Sequence, residues 1–334
     1  MPRSSPGDRR PTRPTRPPRR APQQSTAPFN FLGFLARSLI VFLTVVLGWK
    51  LLSFGLTTYE EAKFQRTDIT TLIQPATPQP YLDPALEAQI RRAASAPGTV
   101  SVSIRNITTG AQAEINGQEV FPAASLFKLP VLVEVIKQYR SGLISLDDPI
   151  QIRQDQWTDG SGVLQARIGE RIPVRELLRL MIAESDNIAA LALIDLVGVD
   201  NINRTMQSIG LEWTKVQDRR ANNLLHVTTA RDMGMLMDVL ATGQLVDRET
   251  SEETIRLLEL KQAQNWLDDR LPWFTRVAHK WGELPSVRHD AGILFTPRST
   301  FVVVVMTQGA DVASSSDIIG SVSRAAFDYF ERVP

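Results

Sequence analysis

Three short segments of this chain carry side chains that could do covalent chemistry. The first is Ser125-Leu126-Phe127-Lys128. If Ser125 opens a helix running to Ile136, Lys128 lies one turn on and on the same face, which sets an amine beside a hydroxyl. A serine hydroxyl is a weak nucleophile until a neighbouring base takes its proton, and a desolvated lysine of lowered pKa is such a base. The second segment is Ser185-Asp186-Asn187, between the apolar helical runs Val174 to Ile182 and Ile188 to Val197. The third is Lys280-Trp281-Gly282-Glu283 on a late strand. Each also has a purely structural reading. Ser125 can cap a helix, Ser185 or Asp186 can cap the next one, Lys280 can be a solvent-facing strand residue, and Gly282 can mark a bulge or a close approach.

The elements that must position these segments are legible in outline. Asp83-Pro84-Ala85-Leu86-Glu87 reads as a helix start with a capping aspartate and a proline in the first turn, and Leu86, Ile90 and Ala93 share one face. Val100 to Ile104 alternates apolar and polar residues with period two, as a half-buried strand does, and Thr108-Thr109-Gly110 supplies a turn. Helical patterns dominate from about Ser125 to Glu259. Strands return at Phe274 to Lys280, Ala291 to Phe295 and Phe301 to Thr307, followed by an amphipathic helix from Ser316 to Phe330. A sheet assembled from both ends of the chain with a helical lobe inserted between them is an α+β arrangement.

Composition removes several chemistries. The chain has no cysteine, which excludes disulfides, thiolate metal sites and a cysteine nucleophile, and its three histidines, His226, His279 and His289, are too few for a multi-histidine metal centre. Glycine-rich nucleotide loops and a His-Glu-x-x-His motif are absent from the sequence. No metal or organic cofactor is expected.

The first 80 residues are of a different character. Residues 1–28 hold eight prolines and seven arginines against one acid, Asp8, and are expected to be a disordered tail. Residues 29–57 are apolar, but their longest uncharged run, Ser38 to Trp49, has 12 residues against the roughly 20 that cross a bilayer. Extending the span to Leu56 encloses Lys50, whose long side chain can reach the interface. A transmembrane helix is therefore expected here, with a cleaved secretory signal or a buried core helix as alternatives. Up to Arg37 the net charge is +7, and from Ser38 it is −6, with 29 basic against 35 acidic side chains. That asymmetry puts the N-terminus in the cytoplasm and the remainder outside it, in the periplasm or at the cell surface. Residues 58–80, ending in Pro75, Pro78 and Pro80, read as a linker, and the tail has no aromatic platform that would suggest nucleic acid as a partner.

Taken together, Ser-x-x-Lys, then Ser-Asp-Asn about 60 residues later, then Lys-x-Gly about 95 residues after that, resembles the motif order of the class A β-lactamases within the β-lactamase and DD-peptidase superfamily. The resemblance covers residues 81–334 and includes Asp159-Gly160-Ser161-Gly162 and the strand Asp290-Ala291-Gly292-Ile293. It implies an antiparallel sheet flanked by helices plus an all-α lobe. It also implies a serine hydrolase in which Ser125 attacks a β-lactam or a D-Ala-D-Ala-like amide, Lys128 assists deprotonation and Ser185 passes a proton to the leaving nitrogen. Asn187 would hold the substrate's side-chain amide, Lys280 would attract its carboxylate and tune Ser185, and the N–H groups of Ser125 and Glu283, beside Gly282, would form the oxyanion hole.

Two positions depart from that pattern. Where the family has Asp-Arg-x-Glu-x-x-Leu-Asn, this chain reads Asp218-Arg219-Arg220-Ala221-Asn222-Asn223-Leu224-Leu225, so Ala221 replaces the glutamate that activates the deacylating water. The next helix is expected to begin at once, from Val227, and Asn222, Asn223 or His226 would have to compensate in a rearranged loop for release to be fast. Trp281 replaces the usual Thr or Ser after the lysine and is expected to add bulk beside the cleft. Acylation with slow release follows from this reading. A binding or sensing module without catalysis, and a DD-carboxypeptidase or transpeptidase acting on peptidoglycan, are the alternatives. A Ser125/His289/Asp290 triad is disfavoured because adjacent strand residues point to opposite faces.

Overall fold

The computed structural model describes residues 78–95, 97–218 and 225–332. The expected tail at 1–28, the expected span at 29–57 and most of the linker at 58–80 lie outside these residues. Among the described residues, no helix is long and apolar enough to cross a membrane.

The chain opens with β1 (Tyr81–Leu82), α1 (Pro84–Ala93), β2 (Thr99–Asn106) and β3 (Ala111–Ile115). Asp83 caps α1 as its sequence foretells, its carboxylate accepting from the Ala85 and Leu86 N–H groups, and Leu86 and Ile90 are buried. The two-residue β4 (Phe121–Pro122) leads into a 3-10 turn, Ala124–Phe127, and then α2 (Lys128–Arg140). Next come β5 (Pro149–Gln151), β6 (Arg171–Pro173), α3 (Val174–Ala183), α4 (Asn187–Val197) and α5 (Val199–Ser208). After β7 (Val227–Thr228), α6 (Ala230–Ala241) and α7 (Arg248–Leu258), the strands β8 (Arg276–Leu284), β9 (Val287–Phe295) and β10 (Thr300–Gln308) precede α8 (Val312–Phe330).

Six strands form the main sheet in the order β1-β3-β2-β10-β9-β8. Its pairings are antiparallel except that of β1 with β3, which is parallel, so the sheet is mixed rather than wholly antiparallel. Period-two alternation on β10 divides the interior into two cores. Val302, Val304 and Met306 face the helical lobe built on α2, α3, α4 and α6. Phe301, Val303 and Val305 face the layer made by α1 and α8. The site segments all lie on the first side, between the lobe and the edge strand β8.

Two local expectations are corrected. Ser125 does not open an α-helix: it sits inside the 3-10 turn, and the α-helix starts at Lys128. Nor does a helix begin at Val227. Val227 and Thr228 pair antiparallel with Pro122 and Phe121, and the helix waits for the cap at Thr229, whose hydroxyl accepts from Asp232 N–H. The β-branched pair prefers the extended state, and the strand it meets is the one that leads directly to Ser125.

Candidate active site

The turn that presents Ser125 is held under backbone strain. Ala124, immediately before it, has φ +45°, and Ser185, at the foot of the helical lobe, has φ +52°. Side chains with a Cβ rarely adopt this left-handed region, and such conformations persist where surrounding packing over-determines them. Gly282 on β8 explains how the strand comes so close. A Cβ built at that position would lie 2.9 Å from the Ser125 nitrogen and 3.2 Å from the Ala124 Cβ, so only glycine fits there without movement.

Within this frame Lys128 is the hub. Its side chain is completely buried. The Nζ lies 3.0 Å from Ser125 Oγ, 3.0 Å from Ser185 Oγ, 2.6 Å from the Ser185 carbonyl oxygen and 2.8 Å from Asn187 Oδ1. Ser185 Oγ in turn donates to Ser125 Oγ at 3.0 Å. The two hydroxyls and the amine close a triangle. Burial, reinforced by the positive charge of Lys280, pushes the Lys128 ammonium well below its ordinary pKa, and Asp186 opposes that only partly.

Asp186 reconciles the two readings of its segment. It is the N-cap of α4, with Oδ1 accepting from Ala189 N–H at 2.8 Å, while Oδ2 accepts from Val163 and Leu164 N–H at 2.6 and 3.0 Å. The aspartate therefore does the capping and ties down the loop around Asp159, leaving the Ser185 hydroxyl to face Lys128. Asn187 Nδ2 donates to the Asp159 carbonyl at 3.3 Å, which fixes the amide so that its oxygen meets the lysine.

The third segment is placed differently from its expected role. Lys280 is fully buried, and its ammonium donates to the Trp281 carbonyl at 3.0 Å and to Gln262 Oε1 at 3.3 Å, rather than to Ser185. Trp281 does not add bulk to the cleft. It is 8% exposed and packs edge-on against Trp266, ring centroids 5.8 Å apart, in the core beneath α1 and α8. Glu283 lines the cleft and pairs its carboxylate with Arg288 at 2.8 Å.

These groups open into a cleft of about 630 Å³. Sequence reasoning offered His226 only as a candidate aid to release and missed several of the cleft's other walls. His226 stacks on Phe127 with centroids 4.0 Å apart, and burial lowers its pKa to about 4, so it is a neutral aromatic wall at neutral pH. Trp157 forms another side, and Leu191 and Ile194 of α4 line the interior. Leu225 also lines the cleft, whereas Arg219 to Leu224, with Ala221, lie outside the described residues. The signal for Phe127 was present in its place between Ser125 and Lys128, but nothing in the sequence announces that His226 would reach it across 99 residues. The disfavoured triad is absent: His289 lies between the Pro122 and Arg288 carbonyls, and Asp290 pairs with His279 at 2.8 Å.

A two-core α+β fold with a helical lobe set against an edge strand defines the β-lactamase/transpeptidase-like class. The chain belongs to the β-lactamase enzyme family, whose model matches residues 85–330. It is 26% identical over 244 residues to the extended-spectrum β-lactamase PER-1 of Pseudomonas aeruginosa, covering 64% of this chain and 77% of that one. Among solved structures it is similar to PBP-A, at 28% identity and TM-score 0.72 over 77% of this chain and all of that one. A second structure of that protein, a point mutant captured as an acyl-enzyme complex with penicillin G, matches with TM-score 0.71 at 28% identity, over 77% of this chain and 100% of that one. A β-lactamase from Sphaerobacter thermophilus matches at 29% identity with TM-score 0.69, over 75% of this chain and 98% of that one.

Proposed function

We propose that this chain is an acyl-serine enzyme, acylated at Ser125 by β-lactams or D-Ala-D-Ala-like amides and slow to release the acyl group. The observation that carries the reading is the buried triangle of Ser125, Lys128 and Ser185. A neutral lysine has two N–H groups and one lone pair. The Ser185 carbonyl and Asn187 Oδ1 can only accept and are the nearest oxygens, at 2.6 and 2.8 Å, so they take both N–H groups. The lone pair is left for a hydroxyl proton.

The reaction then runs on this chain's own groups. As Ser125 Oγ bonds to the carbonyl carbon, its proton passes to Lys128 Nζ. The carbon–nitrogen bond breaks, and the nitrogen takes a proton through Ser185 Oγ, which Lys128 replenishes, returning the amine to its neutral state. The N–H groups of Ser125 and Glu283 would receive the developing oxyanion, with Gly282 allowing the strand to approach. Release requires a water activated by a base. Ala221 offers none, which supports long-lived adducts.

Treating the full-length chain with a fluorescent penicillin tests this. The expected result is a labelled band that Ser125→Ala abolishes and that persists for minutes to hours. Rapid appearance of hydrolysed penicillin would overturn slow release, and no labelling at saturation would favour a non-catalytic binding module. The acyl-enzyme of the PBP-A mutant supports the first outcome. We also place the catalytic domain outside the cytoplasm, anchored by residues 29–57, on the strength of the +7 tail before that apolar segment. Protease added to intact cells should digest the domain, and protection would refute the placement.

A further inference from the structure

Lys280 and Gly282 lie two residues apart on β8, so their side-chain directions share one face of the sheet. That face abuts the Ser125 N–H. A lysine rooted there is long enough to bring its ammonium into the cleft, yet the ammonium turns away. It donates to the Trp281 carbonyl at 3.0 Å and Gln262 Oε1 at 3.3 Å, and lies 4.7 Å from the centroid of the Trp281 indole. Two oxygens and a π face satisfy the three N–H directions of an ammonium.

Gln262 is built for this hold. It is 4% exposed, and its Nε2 donates to the His279 carbonyl on β8 and, at 3.5 Å, to the Leu258 carbonyl at the end of α7. One end of the amide grips the strand while the other receives the ammonium. The described residues lining the cleft include Asp155, Asp159 and Glu283 but neither lysine nor arginine. Withdrawal of Lys280 therefore leaves the described wall without a cation.

We propose that Gln262 is a positioning residue that, together with Trp281, holds the Lys280 ammonium out of the cleft and so withholds a cation from acyl donors bearing a carboxylate. The proposal rests on the acyl-serine reading for its effect on specificity, but not for its effect on Lys280. In its present position burial lowers the Lys280 pKa to about 7, with Asp290 the favourable charge.

Two measurements on the full-length chain test it. The first is a pH titration of Lys280 by NMR with ¹³C-labelled lysine, the signal assigned with Lys280→Met. The wild-type midpoint is expected near 7. In Gln262→Ala the freed ammonium moves into hydrated space, so its midpoint rises toward that of an ordinary lysine. A fall would mean that it stays buried without its acceptor, and would overturn the proposal. The second is the ratio of Ser125 acylation rates for a penicillin and its methyl ester. Gln262→Ala should raise that ratio roughly tenfold, the value of one charge-assisted hydrogen bond of about 1.4 kcal/mol. Gln262→Glu keeps an acceptor in place, so it should raise the midpoint and leave the ratio at the wild-type value. An unchanged ratio in Gln262→Ala, or an equal rise in both variants, would overturn the specificity role. If Ser125 is never labelled, the acyl-serine reading fails by itself while the titration still decides whether Gln262 holds Lys280.

Discussion

The chemistry proposed for Ser125 depends on the protonation state of one amine. Lys128 protonates as pH falls, and its charged form has no lone pair for the serine proton, so the acylation rate should decline on the acid side of its titration. Because burial and Lys280 hold its pKa well below 10.5, the rate should already be at its plateau far below the range where a free lysine would lose its proton. A pH profile of fluorescent-penicillin labelling checks the direction. Lys128→Arg makes a sharper test, since a guanidinium stays charged in this environment. It should slow labelling by about 10²-fold or more, the usual worth of a positioned base, while circular dichroism shows a folded chain. Ser125 and Lys128 could be paired from spacing because they lie one turn apart, whereas Ser185 and Asn187, 57 and 59 residues beyond Lys128, were tied to them only through the family resemblance. The true resting place of Lys280 could not be named, because Gln262 belongs to no pattern and meets the lysine only when the segment after α7 folds along the edge of β8.

At the scale of elements, Asp186 joins α4 to the loop that closes the cleft. Asp186→Ala removes three hydrogen bonds, two of them from buried N–H groups, and should destabilise the domain by about 2 kcal/mol. The fall in thermal midpoint measures it, and hydrogen exchange should quicken first at residues 159–164. Gly282→Ala should cost labelling rate more than stability, since its new Cβ meets the nucleophile's own nitrogen. Equal labelling in that variant would show that the Ser125 turn can retreat without penalty. Helices such as α1 and strands such as β10 were legible because one face or one alternation is apolar. The short pieces around the nucleophile were not, because their conformation is imposed from outside. Ala124 and Ser185 have no intrinsic preference for the left-handed region, and the pairing of Val227 and Thr228 with Phe121 and Pro122 links segments more than 100 residues apart.

For the molecule as a whole, two neutral histidines tie stability to acidity. His226 and His289 are each held by burial at a pKa of about 4 against an ordinary 6.5. As pH falls below 6.5 the unfolded chain takes up protons that the folded chain refuses. Stability is therefore fully present above that value and is lost down to pH 4, on the order of 3 kcal/mol for each imidazole. Thermal midpoints measured between pH 7 and 4.5 should drop steeply, and His289→Gln should lessen the slope. The placement of β10 between β2 and β9 also has a temporal meaning. Phe301 bonds beside Asn106, so the N-terminal strands leave the ribosome nearly 200 residues before the strand that completes their sheet. The helical lobe lies wholly within that interval and can collapse early, whereas β2 must wait with an unpaired edge. A chain stopped before Thr300 would keep its nucleophile and its base yet lack the central strand that joins β9, and through it β8 and Gly282, to the N-terminal strands.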